Sequence, residues 1–358
     1  MPNARTKTTS RLAAAILWGL LPLTGMTTAC SKEPVPAEKK VEEKKEPAKK
    51  EPATSGTAAN AEGKPAPSKA NASKPWPNGA RLVVSISMQF ETGGQPADAE
   101  SPFSAHPLPK GTPDLAAESW FRYGALEGIG RLLNLWDKHD VKVTSHIVGD
   151  AAVKYPEVAK EIAARGHEIA AHGMTWSPQW NKSYADELKF VKDGVEAVEK
   201  VTGQRAVGYN AYWLRRSKNT LKVLQELGFL YSVDDVSRDE PFIVTLRGKG
   251  FVVVPYTLRN NDIALIEGRH FSAEQFQEQL RMEFDQLYAE GSKRRRMMSV
   301  SLHDRIGGTP AVVRAVDKFL THAKKKKNVV FMRKDDIAKL VVDDPKTPKD
   351  ESEAAYNE

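Results

Sequence analysis

The sequence predicts an α/β protein whose parallel strands form a (β/α) barrel, and three observations support this fold class. Apolar, β-branched runs alternate with helical patterns from about residue 82 to about residue 340. About 270 residues remain after the N-terminal extension, which is the size of one such barrel. Polar residues directly follow several predicted strands, where barrels of this kind place their chemistry.

Each predicted element follows from its own pattern. Residues 81–88 are apolar and β-branched, as in a buried strand, and residues 115–139 have helical spacing. A strand at 141–148 precedes a helix that starts at Pro156 and stops before Gly166. The remaining predicted elements are strands at 167–172, 251–256, 298–303 and 329–332, and helices near 185–202, 220–227, 273–290 and 311–325.

The formal net charge of +7 lies almost entirely in the first 75 residues. They hold 13 Lys and Arg against 7 Glu, whereas the rest of the chain holds 40 against 39 acids. A basic nucleic-acid-binding domain is therefore not expected. Two short basic runs, Lys293–Arg296 and Lys324–Lys327, are best explained as solvated helix ends and loops, with contact to an anionic envelope surface as the alternative.

Residues 1–30 have the layout of an export signal: a basic start, an apolar run and small residues before Cys30. Cys30 is the single cysteine, which excludes a disulfide framework. The region resembles a bacterial lipoprotein signal, which implies lipidation of Cys30 and a membrane-anchored protein of the cell envelope. The alternatives are an ordinary cleaved signal and an uncleaved anchor.

The composition predicts three further segments. Residues 31–75 are rich in Lys, Glu, Pro and Ala and contain no Leu, Ile, Met or aromatic residue, which predicts a disordered tether. Residues 76–342 form the predicted folded domain. Residues 343–358 are acidic and poor in apolar residues, which predicts a disordered tail.

The stretch from Lys142 to Gly173, with Gly-His-Glu-Ile-Ala-Ala-His at 166–172, resembles the core of the NodB-type polysaccharide deacetylases. The segments ending at Phe242, Asp262 and Arg305 are closest to the allantoinase-like, metal-independent branch of that superfamily. The resemblance implies a distorted (β/α) barrel and a hydrolase that cleaves non-peptide amide C–N bonds.

The chain departs from the metal-binding pattern of the family. Metal-dependent members carry an Asp-Asp pair and a His-x-x-x-His pair, but the matching positions here are Glu91-Thr92 and His172 with Trp176. Two of three expected ligands are absent, so no metal is expected, with zinc as the alternative. That alternative would draw on His146 and Asp150.

A further departure lies at the family's Arg-x-Pro element, which orients the catalytic base. Asn210 and Tyr212 occupy these positions, so Arg215 or Arg216 would have to reach back to the base.

Amide hydrolysis needs a base for water, a donor for the oxyanion and an acid for the leaving nitrogen. The predicted catalytic residues are Glu91 as the base, His303 as the acid and His172 as an oxyanion or orienting donor. An ordinary loop carboxylate and buried structural histidines are the competing explanations. The predicted substrate-binding residues are Asp235, Asn261, Asp262, Trp176 and Arg215.

Three functions stay open at this point. The first is an envelope-anchored deacetylase acting on N-acetyl groups of a glycan. The second is an allantoinase-like hydrolase of a small cyclic amide. The third is a catalytically inactive module that binds glycans.

Overall fold

A computed structural model describes residues 76–96, 101, 106, 108–109 and 111–350 of the chain. The predicted export signal, Cys30 and the tether therefore lie outside the described residues, as does the tail from residue 351. Among the helices that are described, none is both long and apolar enough to cross a bilayer.

A mixed sheet of mainly parallel strands forms the centre of the fold. Its strands are β1 (Leu82–Phe90), β2 (Thr144–Ile147), β3 (Glu168–Ala171), β4 (Gly208–Tyr209), β5 (Tyr231–Ser232), β6 (Phe242–Leu246), β7 (Lys249–Val253), β8 (Met297–His303), β9 (Val329–Phe331) and β10 (Lys349–Asp350). The order is β8-β1-β2-β3-β4-β5-β7-β6-β10, and β9 pairs with the start of β1. β6 and β7 form an antiparallel hairpin, and the other pairs are parallel.

The sheet curves into an incompletely closed barrel. The chain after β7 meets β8 through a single parallel bridge, between Asn261 and Ser301. Nearby, the Ser301 amide donates to the Asn260 carbonyl at 3.0 Å, and Ser299 Oγ donates to the Pro255 carbonyl at 2.6 Å. The predicted α/β fold is confirmed, with the ladder interrupted between β7 and β8.

Helices pack against the sheet, and strands β1 and β8 are buried along their whole length. The helices are α1 (Leu115–Tyr123), α2 (Ile129–Lys138), α3 (Gly149–Lys154), α4 (Pro156–Ala164), α5 (Tyr184–Thr202), α6 (Thr220–Glu226), α7 (Ala273–Glu290), α8 (Asp304–Gly307), α9 (Pro310–Ala323) and α10 (Lys334–Val342). A π-helical turn at Gly124–Gly128 joins α1 to α2, and another lies at Ile263–Glu267.

The folded domain extends beyond its predicted end at residue 342. Asp344 pairs with the buried side chain of Arg295, Thr347 is buried, and β10 pairs with β6. Residues 343–350 are therefore packed, because a few specific contacts compensate for their low apolar content.

The basic run at 293–296 also differs from the prediction that its side chains are solvated. Arg295 lies over the ring of the buried Trp76 at 5.2 Å, and Arg296 pairs with Glu290 at 2.5 Å. These two side chains are buried rather than solvated, since each has a partner that compensates its charge.

Candidate active site

The carboxyl ends of three parallel strands bring together the three predicted catalytic side chains. Glu91 directly follows β1, His172 directly follows β3, and His303 ends β8. Glu91 Oε1 lies 3.4 Å from His172 Nε2 and 3.7 Å from His303 Nε2. Each of the three is at most 5% exposed, so the group is desolvated on all sides but the pocket.

An arginine that the sequence analysis missed holds the Glu91 carboxylate. Arg305 Nη1 donates to Glu91 Oε2 at 2.6 Å, and the Arg305 side chain is buried. Burial raises the pKa of Glu91, but the positive charge of Arg305, with smaller contributions from His303 and His172, outweighs it. The pKa of Glu91 is therefore held well below its usual range, and the carboxylate is ionised at neutral pH.

The Arg305 guanidinium is itself enclosed by aromatic rings. Its central carbon lies 4.6 Å from the ring centre of Trp120, 4.7 Å from that of Phe121 and 5.7 Å from that of Trp176. Cation–π attraction from these rings compensates in part for the lost hydration. Arg305, in the short helix α8 that follows β8, thus contacts the predicted catalytic base. Arg215 and Arg216, the positions considered from sequence, do not line the pocket.

Asp262 fixes the ring of His303 and its proton. Asp262 Oδ1 lies 2.6 Å from His303 Nδ1, and Asp262 Oδ2 accepts from the His303 amide at 2.7 Å. Burial lowers the pKa of His303, but Asp262 and Glu91 together outweigh burial and raise it. The raised pKa favours the imidazolium, in which Nε2 carries a proton and faces Glu91.

His172 has a different partner, which fixes the orientation of its ring. Its Nδ1 lies 2.7 Å from the carbonyl oxygen of Asn210, and a carbonyl can only accept. Nδ1 must therefore carry a proton, and Nε2 is directed at Glu91.

Asp304 shapes the turn that carries Glu91. Its Oδ2 accepts from the amides of Glu91 and Thr92 at 2.9 Å and 3.0 Å. Thr92 Oγ1 lies 2.8 Å from the same oxygen and 2.8 Å from the Phe121 carbonyl. The Thr92 side chain is thus bound beneath the pocket and does not line it.

The π-helical turn after α1 allows this close packing. A Cβ on Gly124 would lie 2.3 Å from Thr92 Oγ1, and one on Gly128 would lie 1.9 Å from the Asp304 carbonyl. Glycine is needed at both positions because any side chain would displace the residues that hold the Glu91 turn. π-Helical turns are often found at functional sites, and the second one begins directly after Asp262.

The donor set does not fit the zinc site of the metal-dependent deacetylases. Arg305 already occupies one oxygen of Glu91, and its charge would repel a second cation. Thr92 is bound to Asp304, and the indole of Trp176 packs at 4.8 Å on Tyr212. Among the described residues, no group of three or more His, Cys, Asp and Glu is arranged to hold a metal ion.

The histidine and aspartate considered as substitute ligands also lie outside the site. His146 Nε2 is 3.3 Å from Ser87 Oγ within the barrel, and burial, followed by Lys334 and His172, lowers the pKa of His146 well below its usual value. Asp150 is in the first turn of α3. Neither side chain lines the pocket.

The pocket over Glu91 has an empty volume of about 370 Å³ and opens to solvent. Its floor is polar: Gln89 Nε2 donates to Tyr256 Oη at 2.7 Å and lies 3.3 Å from Asn210 Oδ1. Its lining consists of Gln89, Glu91, His172, Trp176, Asn210, Ala211, Trp213, Leu214, Tyr256, Leu258, Asn261, Ile263 and His303. Trp213 and Leu258 are 45% and 50% exposed, so the rim presents apolar surface to solvent.

Trp213 is held at the rim by an unusual backbone. Trp213 and Leu214 both have a positive φ, 51° and 59°, which residues other than glycine rarely adopt. Strained backbone of this kind tends to occur at binding sites, where surrounding packing maintains it.

The structure brings some of the predicted substrate-binding residues to the pocket and leaves others outside. Trp176 and Asn261 line it, and Asp262 lies behind His303. Asp235 accepts from the Ser237 amide, and Arg215 lies over Trp180 at 5.7 Å; neither lines the pocket.

Comparison with known proteins identifies relatives of this sequence and fold. The family model of the polysaccharide deacetylases matches residues 119–232. A probable polysaccharide deacetylase of Pseudomonas aeruginosa, known from its crystal structure, is 33% identical over 74% of this chain and 92% of its own, with a TM-score of 0.69. The crystal structure of Puue allantoinase is 32% identical over 74% of this chain and 91% of its own, with a TM-score of 0.70.

A curated relative agrees with these two structures. A putative polysaccharide deacetylase of Schizosaccharomyces pombe is 29% identical over 74% of this chain and 92% of its own length. The resemblance to NodB-type deacetylases, including their allantoinase-like members, is therefore confirmed.

Proposed function

Because the chain belongs to the polysaccharide deacetylase family, whose members are hydrolases of non-peptide C–N bonds, we propose that it removes N-acetyl groups from a glycan. The observation that carries this proposal is the position of Glu91, whose Oε1 faces two imidazoles at the floor of one pocket. These three groups meet the need of amide hydrolysis for a base and an acid on one substrate.

Glu91 acts as the base. Water attacks the acetyl carbon, and one of its protons passes to Glu91. The pairing with Arg305 keeps Glu91 ionised, so the base is available throughout the physiological pH range. The same pairing makes the carboxylate a weak base, so its contribution is expected at the lower end of the usual range, about 10²-fold.

His303 acts as the acid. Its Nε2 proton passes to the amide nitrogen of the tetrahedral intermediate, the C–N bond breaks, and acetic acid and a free amine result; acetic acid then loses its proton to solvent as acetate. Glu91 then holds one proton too many and His303 one too few. Their separation of 3.7 Å allows the proton to return through a water molecule, which restores both groups.

We propose that this reaction needs no metal ion, because the Arg305 guanidinium supplies the positive charge beside Glu91. The developing oxyanion would be stabilised by the His303 imidazolium and the side-chain amide of Asn261, both of which line the pocket. After dialysis against a chelator, the purified protein should contain less than about one equivalent of zinc and keep its activity. Stoichiometric zinc that is needed for activity would contradict this.

The rim favours an extended substrate over a small one. Trp213 and Leu258 present apolar surface outside the pocket, where a sugar ring next to the acetylated one could pack. A small cyclic amide would lie at the floor of the pocket, and it would leave the side chains of Trp213 and Leu258 exposed to water. The test is acetate release from oligomers of N-acetylglucosamine of increasing length, with higher kcat/KM expected for the longer ones.

A second candidate function is the opening of a cyclic amide, favoured by the 32% identity with the allantoinase structure. Allantoin ring opening, measured beside acetate release, separates the two. A folded protein that is inactive on both substrates but binds a glycan would instead be a binding module.

We propose that the enzyme is exported and anchored in the cell envelope through lipidated Cys30. The support is the sequence alone: a basic start, an apolar run and one cysteine at the expected cleavage point. Cys30→Ser should move the protein from the membrane fraction to the soluble fraction. Unchanged fractionation would contradict the anchor.

A further inference from the structure

The amino end of the barrel, opposite the pocket, collects basic residues. The segments that precede the strands parallel to β1 are 76–81, 139–143, 165–167, 203–207, 227–230, 247–248, 291–296 and 324–328. They hold 13 Lys and Arg against one acid, Asp140. The rest of the chain from residue 76 holds 27 Lys and Arg against 38 acids, so charge is segregated in an almost neutral domain.

Five of these cations lie on neighbouring segments and are here called the basic patch: Arg81, Lys293, Lys324, Lys325 and Lys327. Two hydrogen bonds bring these segments together, since the Arg81 amide donates to the carbonyl of Asn328, next to Lys327, at 2.8 Å, and Tyr288 Oη donates to the Lys327 carbonyl at 3.1 Å. Arg81 Nε also donates to the Tyr288 carbonyl, near the end of α7, and Lys293 follows that helix.

The basic patch keeps its charge. No ion pair is found for its five members among the described residues, and the four lysines are exposed. The nearby acids are already paired, Glu290 with Arg296 and Asp285 with His322 and Lys326.

Attraction to helix dipoles explains one cation at a helix end, such as Arg165 after α4. Four consecutive lysines, Lys324 to Lys327, follow α9, which is more positive charge than attraction to its dipole explains.

The chain enters the fold at the same end. Trp76 is buried, its Nε1 donates to the Arg296 carbonyl at 2.9 Å, and only four residues separate it from Arg81. Residues 1–75 are therefore joined to the domain beside the basic patch. The pocket lies beyond the nine residues of β1, about 30 Å away.

We propose that the basic patch binds the anionic headgroups of a lipid bilayer and so turns the pocket away from the membrane. This inference extends the proposed membrane tether, but it concerns the domain surface and does not require lipidated Cys30. Each lysine near an anionic leaflet adds to the attraction, and the effect fades within a Debye length. The orientation would leave the open rim facing the glycan.

The test uses the full chain with Cys30→Ser, so that lipid attachment plays no part. Co-sedimentation is measured with vesicles of phosphatidylcholine containing 30% phosphatidylglycerol, and with phosphatidylcholine alone, in about 0.1 M salt. One variant carries Lys293→Glu, Lys325→Glu and Lys327→Glu. The matched control carries Lys154→Glu, Lys218→Glu and Arg269→Glu, three exposed positions outside the basic patch with the same change in net charge.

We expect the patch variant to lose at least about tenfold in its partition onto anionic vesicles, while the control stays within about threefold of the parent. Acetate release in solution should be unchanged in both, which shows that they fold. Equal losses in the two variants would overturn the proposal, as would equal partition of the parent onto the two vesicle types. Parent protein that bound a soluble anionic polysaccharide but no vesicle would overturn the choice of lipid.

Discussion

Two buried glutamates lie at opposite ends of the same barrel, and their ionisation differs. Glu91, at the carboxyl end of β1, is 1% exposed and pairs with Arg305 at 2.6 Å. Glu168, at the amino end of β3, is 4% exposed and accepts from Thr144 Oγ1, Tyr231 Oη and the Asp335 amide. The hydrogen-bond donors to Glu168 are therefore neutral groups, whereas the donor to Glu91 is a cation.

Burial acts in the same direction on both glutamates, so the difference between their two pKa shifts comes from their partners. Burial and the nearby Asp335 raise the pKa of Glu168 to about 7, whereas Arg305 reverses the effect of burial at Glu91. Glu168 is closed off by α10, whose first residue, Lys334, is buried and donates to Ser85. Only Glu91 faces a pocket, so the comparison separates a candidate catalytic carboxylate from a structural one.

The largest expected effect is kinetic. Glu91→Gln should lower kcat about 10²-fold or more, because it removes the proton acceptor. Glu168→Gln, the matched control at the other end of the barrel, should stay within a few-fold of the parent. Steady-state acetate release measures both. A folded Glu91→Gln protein with nearly full activity would remove Glu91 from the mechanism.

Arg305→Met tests what the cation does for Glu91. Removing one partner of a buried pair costs about 3–5 kcal/mol of unfolding free energy. The pKa of Glu91 should then rise, because burial is opposed only by the smaller contributions of His303 and His172. Activity should therefore fall as the pH is lowered through a range where the parent is unaffected. Urea unfolding and the pH dependence of kcat/KM measure the two effects. A variant with the parent's acid limb would show that Arg305 does not control Glu91.

Glu168 should make stability depend on pH. Its pKa is about 7 in the folded state against 4.5 in the unfolded chain, so the unfolded state ionises first. Unfolding free energy should therefore decrease as the pH rises from about 4.5 to 7, by roughly 3 kcal/mol from this group. Glu168→Gln should remove that part of the slope. Urea unfolding of parent and variant at several pH values decides it, and identical slopes would contradict the raised pKa.

The smallest expected effect concerns Asp262. It raises the pKa of His303, which must be protonated to act as the acid. Activity should therefore fall at alkaline pH as His303 loses its proton, and Asp262→Asn should move this limb to lower pH. The pH profile of kcat/KM measures the shift. An unchanged alkaline limb would indicate that another group is the acid.

Much of the fold and the centre of the site could be predicted from the sequence. Strand and helix alternation depends on local periodicity, and Glu91, His172 and His303 each come directly after or at the end of a strongly apolar strand. These local patterns are sufficient to predict that the three side chains lie together, because the carboxyl ends of parallel strands meet at the same end of the barrel.

Other features depend on contacts between distant segments, which local patterns do not reveal. Arg305 pairs with Glu91 across 214 residues, a contact that the local sequence around Arg305 does not indicate. The strands β4 and β5 have only two residues each, too few for a periodic signal. Arg295 and Asp344 hold the C-terminal segment through an ion pair that no local pattern indicates.

The opposite ionisation of the two glutamates can be measured directly by 13C NMR of protein labelled at the glutamate carboxyl carbon. Glu91→Gln and Glu168→Gln each remove one signal and so assign it. The account predicts that the Glu168 signal titrates near pH 7 and that the Glu91 signal remains that of a carboxylate down to about pH 4. A Glu91 signal that titrates between pH 5 and 8 would contradict the account, because Arg305 would then not hold the base in its ionised form.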